Sequence, residues 1–389
     1  MYKIQTLNAI SNVIYSQLPM NSYTVSSDEA NPDAILVRSA AMHEMPFGDK
    51  LLAIGRAGAG VNNIPLDRCS EAGIAVFNTP GANANAVAEL VMAGLLLSSR
   101  NILGGAAWAQ GLKGNGDAVP KMVEKGKSQF VGPELRGKTL GVIGLGAIGT
   151  LVANAASRGF GMKVVGYDPF LSVQNALHMS TSVQFAASTE EVLAQADYIT
   201  FHVPLNDKTR GSINADMISR MKDGVRIMNF SRAELADADA MKAALASGKV
   251  AAYVTDFATE PMLDTEHVIC LPHLGASTPE SEENCASMAA EELRMYLETG
   301  AIRNSVNLPN VQLGAIEGGR IQVIHRNIPN MLAPISACVS AEGINIGSMV
   351  NQSRKDMAVT VMDVAKLPSA EAIEKIKAIE GVIRVRTFD

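Results

Sequence analysis

Of the six histidines in the chain, His273 stands apart: it closes an apolar run in PHLGAST (272–278), where an α/β sheet presents its carboxyl edge to ligands. Two other residues end neighbouring runs in the same way. Arg232 closes VRIMNFSR, and Glu260 follows the run that ends in TDF (255–257). A single strand-end histidine is as readily a hydrogen-bonded structural residue; an arginine, a carboxylate and an imidazole delivered to one edge suit the oxidation of a 2-hydroxy acid. Arg232 would pair bidentately with the substrate carboxylate and His273 would take the hydroxyl proton. Glu260, hydrogen-bonded to the imidazole, would select its tautomer and raise its pKa by stabilising the imidazolium. Asp256 would meet the nicotinamide end of a cofactor.

That cofactor has its own signature upstream. Gly144, Gly146 and Gly149 form GLGAIG directly after the apolar run 140–143 and open a helical stretch through Ser157. The first glycine permits a tight turn, the second lets backbone approach a pyrophosphate, and the third lets helix and strand close together; the helix start supplies N–H donors for the anion. The next apolar run, 163–167, ends at Asp168, whose carboxylate would accept hydrogen bonds from the adenosine ribose and repel a 2′-phosphate. NAD is therefore expected rather than NADP. No metal is called for.

These residues need a scaffold, and the periodicity supplies one. From Thr139 onwards strands alternate with helices: TLGVIGLG, KVVGYDP, ADYITFHVP, VRIMNFS, VAAYVTDF and VICLPH. Regular alternation implies a mostly parallel, doubly wound sheet with right-handed crossovers. Ser188 with Glu191 forms a capping box, Asn214 and Asp237 are N-cap residues, and Gly248 stands just past a helical run. Residues 1–88 read as small α/β units. A long helix opened by Thr278 and Pro279 and closed at Gly300 returns the chain to that first region. Residues 304–319 lack periodicity and read as a linker, and from Arg320 the order βαββαβ describes a ferredoxin-like sandwich.

With 33 Lys+Arg against 39 Asp+Glu, 47% hydrophobic and 19% charged residues, the composition is that of a globular protein. A net charge of −6 without a basic stripe disfavours nucleic acid, and the longest apolar run, 91–97, is far too short for a bilayer. Cys69, Cys270, Cys285 and Cys338 lie far apart and the first residues lack a signal-peptide layout, so a reducing cytoplasm is expected.

The GLGAIG unit, Asp168, HVPL (202–205), NFSR (229–232), TDFATEP (255–261) and PHLGAST together resemble the D-isomer-specific 2-hydroxyacid dehydrogenases over almost the whole chain. The resemblance implies a Rossmann-type NAD-binding domain (89–275) inserted in a flavodoxin-like substrate domain (1–88 and 276–317), with catalysis in the cleft between them. It implies cofactor contacts at Ala147, Ile148, Asp168, Val203, Pro204, Thr209, Phe230, Ser231, Arg232, Asp256, His273, Gly275 and Ala276. LVRSA (36–40), IGRAGAGVNNI (54–64) and NTPGANANAVAEL (78–90) resemble the substrate-side segments of members acting on 3-phospho-D-glycerate and 3-phosphohydroxypyruvate. Arg38, Ser39, Arg56, Asn83 and the N–H groups of Ala59, Gly60 and Val61 would then serve the phosphate or carboxylate. Ala233 and Asn62 replace a usual glycine and a common aspartate, and the connection from Glu260 to His273 is short.

Residues 318–389 resemble an ACT domain, which implies an amino-acid effector, L-serine, held by His325, Asn327 and Asn345. A homodimer or homotetramer is the implied assembly. Asn330 stands where glycine is usual and tolerates a left-handed backbone. Two rival readings use the same residues: a hydroxypyruvate or glyoxylate reductase of the same family, and an NADH-sensing regulatory protein resembling transcriptional corepressors.

Overall fold

The computed structural model describes residues 1–389. They form two compact units, Met1–Asn83 with Pro279–Asp389, and Ala84–Thr278. The chain changes unit at the amino ends of two helices, Ala84–Ser99 and Pro279–Thr299. No single helix is long and apolar enough to cross a membrane.

In the first unit, strands β1 (Tyr2–Leu7), β2 (Tyr23–Ser26), β3 (Ala34–Val37), β4 (Ala53–Arg56) and β5 (Ala75–Asn78) make a parallel sheet in the order β2-β1-β3-β4-β5. This is the flavodoxin-like order. AILV in β3 is buried throughout, as expected of a parallel strand covered on both faces. Leu36 faces one apolar cluster and Ile35 the other. Helix Pro279–Thr299 covers the first face with Ala289, Leu293 and Tyr296. Gly55 of β4 lets it close in, since a Cβ there would stand 3.1 Å from Leu293.

In the second unit, β6 (Thr139–Ile143), β7 (Lys163–Tyr167), β8 (Val183–Phe185), β9 (Tyr198–Phe201), β10 (Val225–Asn229), β11 (Val250–Thr255) and β12 (Val268–Cys270) form a parallel sheet ordered β12-β11-β10-β9-β6-β7-β8. This is the Rossmann order extended by one strand. Ser188, Asn214 and Asp237 cap their helices as the sequence predicts, accepting from the N–H of Glu191, Met217 and Ala240. In the capping box, Glu191 reaches back to the N–H of Ala187 rather than to Ser188 itself.

Strands β13 (Gly319–Arg326), β14 (Ile346–Arg354), β15 (Met357–Val364) and β16 (Val382–Phe388) form an antiparallel sheet in the order β14-β15-β13-β16, the ferredoxin-like arrangement, within the first unit. One face, with Ile321, Val323 and Met362, joins Ile335 and Ile376 of helices Leu332–Ser340 and Ala370–Lys377. The other, with Ile324, Val359 and Val361, joins Leu293, Tyr296 and Leu297 of the long helix in one cluster. The segment expected as a linker is pinned down: Val306 donates to Val76, Val76 donates to Asn307, and Leu308 and Val311 are buried.

Candidate active site

The strand order of the second unit reverses between β6 and β9, the place where doubly wound sheets take their ligands. GLGAIG follows β6. Gly144 has φ +94°, and a Cβ there would lie 2.4 Å from the His202 carbonyl; one on Gly149 would lie 1.9 Å from the Gly144 carbonyl. Both glycines are required by the turn itself. Gly146 differs, because nothing lies within 4 Å of the Cβ it lacks. It sits at the N-cap of helix Ala147–Arg158, whose first turn carries the N–H groups every helix leaves unpaired. Asp168 accepts from the N–H of Leu145 and of Phe170, both at 2.8 Å. It braces the glycine turn and keeps lone pairs for a ribose.

The loop after β9 is stapled by Thr209, whose hydroxyl donates to Pro204 and accepts from the N–H of Asn206. Beside it, His202 was not singled out from sequence. Its Nε2 lies 3.0 Å from Thr200 Oγ1, its buried Nδ1 has no partner, and burial pushes its pKa down to about 3. It is a neutral imidazole at ordinary pH.

Three carboxyl edges follow in order. After β10, Phe230 is buried, Ser231 donates to the Phe201 carbonyl at 2.7 Å, and Asn229 holds the Arg232 carbonyl at 2.8 Å. After β11 comes Asp256, 2% exposed: Oδ2 accepts from Gly275 at 2.9 Å, while Oδ1 is buried without a partner. Burial raises its pKa, against the pull of the Gly275 N–H and of the charges on His273 and Arg232. A Cβ on Gly275 would stand 2.9 Å from that carboxylate. After β12, His273 takes φ +51° and donates its N–H to the Asp256 carbonyl.

Phe257 joins these edges. Its ring centroid lies 4.8 Å from the His273 imidazole and 6.0 Å from the Arg232 guanidinium carbon. Sequence reasoning passed over it, although it stands inside TDFATEP between two residues that were singled out. Glu260, itself exposed, opens the 3₁₀ turn Glu260–Met262 and makes no hydrogen bond to His273, so the expected carboxylate–imidazole contact is not made in this structure.

The substrate-side residues belong to the first unit. Its strand order reverses between β1 and β3, and there Asn8, with φ +73°, accepts from the N–H of Ser39 and Ala40 at 2.9 Å. Arg38 is ion-paired with Glu282, both side chains nearly half exposed. Arg56 ends β4 and folds its guanidinium over Gly58, where a Cβ would stand 1.5 Å from its Nη1. Asn78, at the end of β5, donates to the Ala59 carbonyl at 2.6 Å and so holds the Ala59–Gly60–Val61 turn. Asn83 is half-buried at the close of this segment.

Of the effector candidates, His325 is 2% exposed with both ring nitrogens engaged, by the Arg326 carbonyl and by Thr360 Oγ1. Asn327 donates to the Lys355 carbonyl at 2.9 Å, and Asn345 is exposed.

Residues 94–275 match the family described as D-isomer specific 2-hydroxyacid dehydrogenase, NAD binding domain. The chain is 34% identical over 351 residues to the D-3-phosphoglycerate dehydrogenase of Escherichia coli strain K12, covering 87% of this chain and 82% of that one. The chain belongs to the D-isomer-specific 2-hydroxyacid dehydrogenases. Within this 2-hydroxyacid dehydrogenase family, the D-3-phosphoglycerate dehydrogenase of Methanocaldococcus jannaschii is 38% identical over 288 residues. The match covers 72% of this chain, which spans about half (52%) of that relative's length. Among solved structures, the NAD+-bound 3-phosphoglycerate dehydrogenase of Entamoeba histolytica has a TM-score of 0.61 at 26% identity, covering 79% of this chain and 98% of that one. The residues present fit the cofactor of this family: Gly146 leaves room for a pyrophosphate, and the unpartnered Asp256 Oδ1 is an acceptor ready for a carboxamide.

Proposed function

We propose that this 2-hydroxyacid dehydrogenase oxidises 3-phospho-D-glycerate to 3-phosphohydroxypyruvate with NAD, the opening step of L-serine biosynthesis. The observation that carries the chemistry is the gathering of Arg232, Asp256 and His273 around Phe257 at adjacent carboxyl edges. The substrate assignment is supported by the names of the relatives that align along most of the chain.

NAD bound at the glycine turn supplies a hydride acceptor. Arg232 binds the substrate carboxylate at two points, which fixes the carbon bearing the hydroxyl. His273 takes the hydroxyl proton on an imidazole nitrogen, and the neighbouring Asp256 charge favours the imidazolium that forms. Phe257 keeps both side chains in place from one ring. Glu260 is assigned as a positioning residue for His273. Arg38, Arg56 and the 59–61 turn are assigned to the phosphate. L-serine is assigned as effector of the C-terminal sandwich, with Asn345 its exposed ligand.

The test is His273→Ala in the full chain. NADH should still bind while turnover falls about 10²–10⁴-fold. Unchanged turnover would remove His273 from the chemistry, and a parent protein that binds NADH but turns over no 2-hydroxy acid would favour a sensor.

A further inference from the structure

A cavity of about 310 Å³ lies in the first unit, where the C-terminal sheet meets the short helix Leu66–Glu71. Its size falls at the lower end of small-molecule sites. Arg326, Arg354 and Lys355 line it from the end of β13 and the β14–β15 hairpin together with Asp356, and Asp67 and Glu71 line it from the helix. Three cations and three carboxylates thus share one small space, yet none of the six forms an ion pair within 4 Å. Five of the six are exposed and only Arg326 is half-buried, and the backbone that carries them is held from behind.

Each wall has its own clamp. Arg354 donates to the Ser305 carbonyl at 2.7 Å. Asn327 holds the hairpin tip twice, its N–H to the Asp356 carbonyl and its amide to the Lys355 carbonyl, where Lys355 takes φ +55°. Asn307 ties the third wall to Ser70 and to the Ile74 carbonyl. Arg326 is half-buried, and the one hydrogen bond from its guanidinium runs to the Met357 sulfur at 3.9 Å, which leaves its other donors open to a ligand. A monoanion would satisfy the cations and repel Asp67 and Glu71; an amine would do the reverse.

We infer that this cavity is a binding site for a small zwitterion, one carboxylate or phosphate facing Arg326 and Arg354 and one ammonium facing Asp67 and Glu71. Such a ligand would touch the C-terminal sheet on one side and helix Leu66–Glu71 on the other, and would stabilise their docking by mass action. The inference is distinct from the serine assignment: none of His325, Asn327 and Asn345 lines the cavity, although Asn327 holds its hairpin wall.

Isothermal titration of the full chain with glycine, L-glutamate and O-phosphoethanolamine tests it, with acetate, inorganic phosphate and ethylamine as single-charge controls. At least one zwitterion should bind saturably and at least tenfold more tightly than every control. Arg326→Gln and Glu71→Gln should each weaken it tenfold or more, with circular dichroism unchanged, while Asn345→Ala leaves it intact. Absence of saturable binding, equal binding of a control, survival of binding in either charge variant, or its loss in Asn345→Ala would overturn the site. The turnover of His273→Ala is unaffected by any of these outcomes, so the two assignments fail separately.

Discussion

At the scale of single residues, the three glycines of one turn serve different ends, and substitution separates them. Gly149→Ala drives a Cβ to within 1.9 Å of the Gly144 carbonyl, and backbone does not yield as a flexible side chain would. A loss of about 1–3 kcal/mol in a denaturant titration is expected. Gly146→Val meets nothing within 4 Å, so the melting temperature should hold while NADH affinity falls at least tenfold. Arg232 and His273 were legible because both end apolar runs, and the edge of a parallel sheet gathers such ends. Phe257 was not, because an aromatic residue beside a strand is ordinarily core, and only the fold shows that its ring lies between an imidazole and a guanidinium.

At the scale of elements, helix Pro279–Thr299 carries an anomaly in its buried face. Glu292 is 0% exposed; Oε1 accepts from Asn304 at 2.6 Å and Oε2 has no partner. Burial raises its pKa to about 8, against the Asn304 hydrogen bond and the Arg303 charge, with Glu291 adding to the rise. The folded protein therefore holds a proton that the unfolded chain releases above 4.5. Stability from this group is full below that value, falls as pH rises toward about 8, and is flat beyond. The loss is at most about 5 kcal/mol. Glu292→Gln keeps the Asn304 contact without the charge, so urea denaturation should find it more stable than the parent above pH 8, with the difference shrinking toward pH 5.

Capping residues and the alternation of strand and helix made most elements readable in advance. Strand β8 escaped, since VQF is three residues long at a sheet edge and offers too little pattern. RIQVIHR was readable as a strand but not in its surroundings. Alternation puts Arg320 and Gln322 on one face, and nothing local distinguishes a wet face from one whose polar groups are all matched.

Across the molecule, matching of that kind seats the C-terminal sheet within its unit. Arg320 is fully buried, paired with Asp363 and donating to the carbonyls of Thr299 and Gly314. Gln322 donates to Gly300, and Arg386 to Tyr296 and Leu297, so three side chains take up the carbonyls at the end of the long helix. Arg384 adds the carbonyls of Leu51 and Ala72. Arginine suits a helix carboxyl end, where its charge meets the dipole and its fork meets several oxygens. Arg320→Ala leaves these acceptors buried and should cost about 3–5 kcal/mol. Because the two sheets share one apolar cluster, they should melt in a single transition by calorimetry, and a chain cut at Gly318 should lose the first sheet's stability as well.

The substrate is decided by the rate of NADH oxidation with 3-phosphohydroxypyruvate against unphosphorylated hydroxypyruvate. A kcat/KM at least 100-fold higher is expected for the phosphorylated acid, of the order that a charged two-point contact supplies, with the preference reduced in Arg56→Gln. Equal rates, or a preference for hydroxypyruvate, would contradict that expectation and make the chain a reductase of the same family.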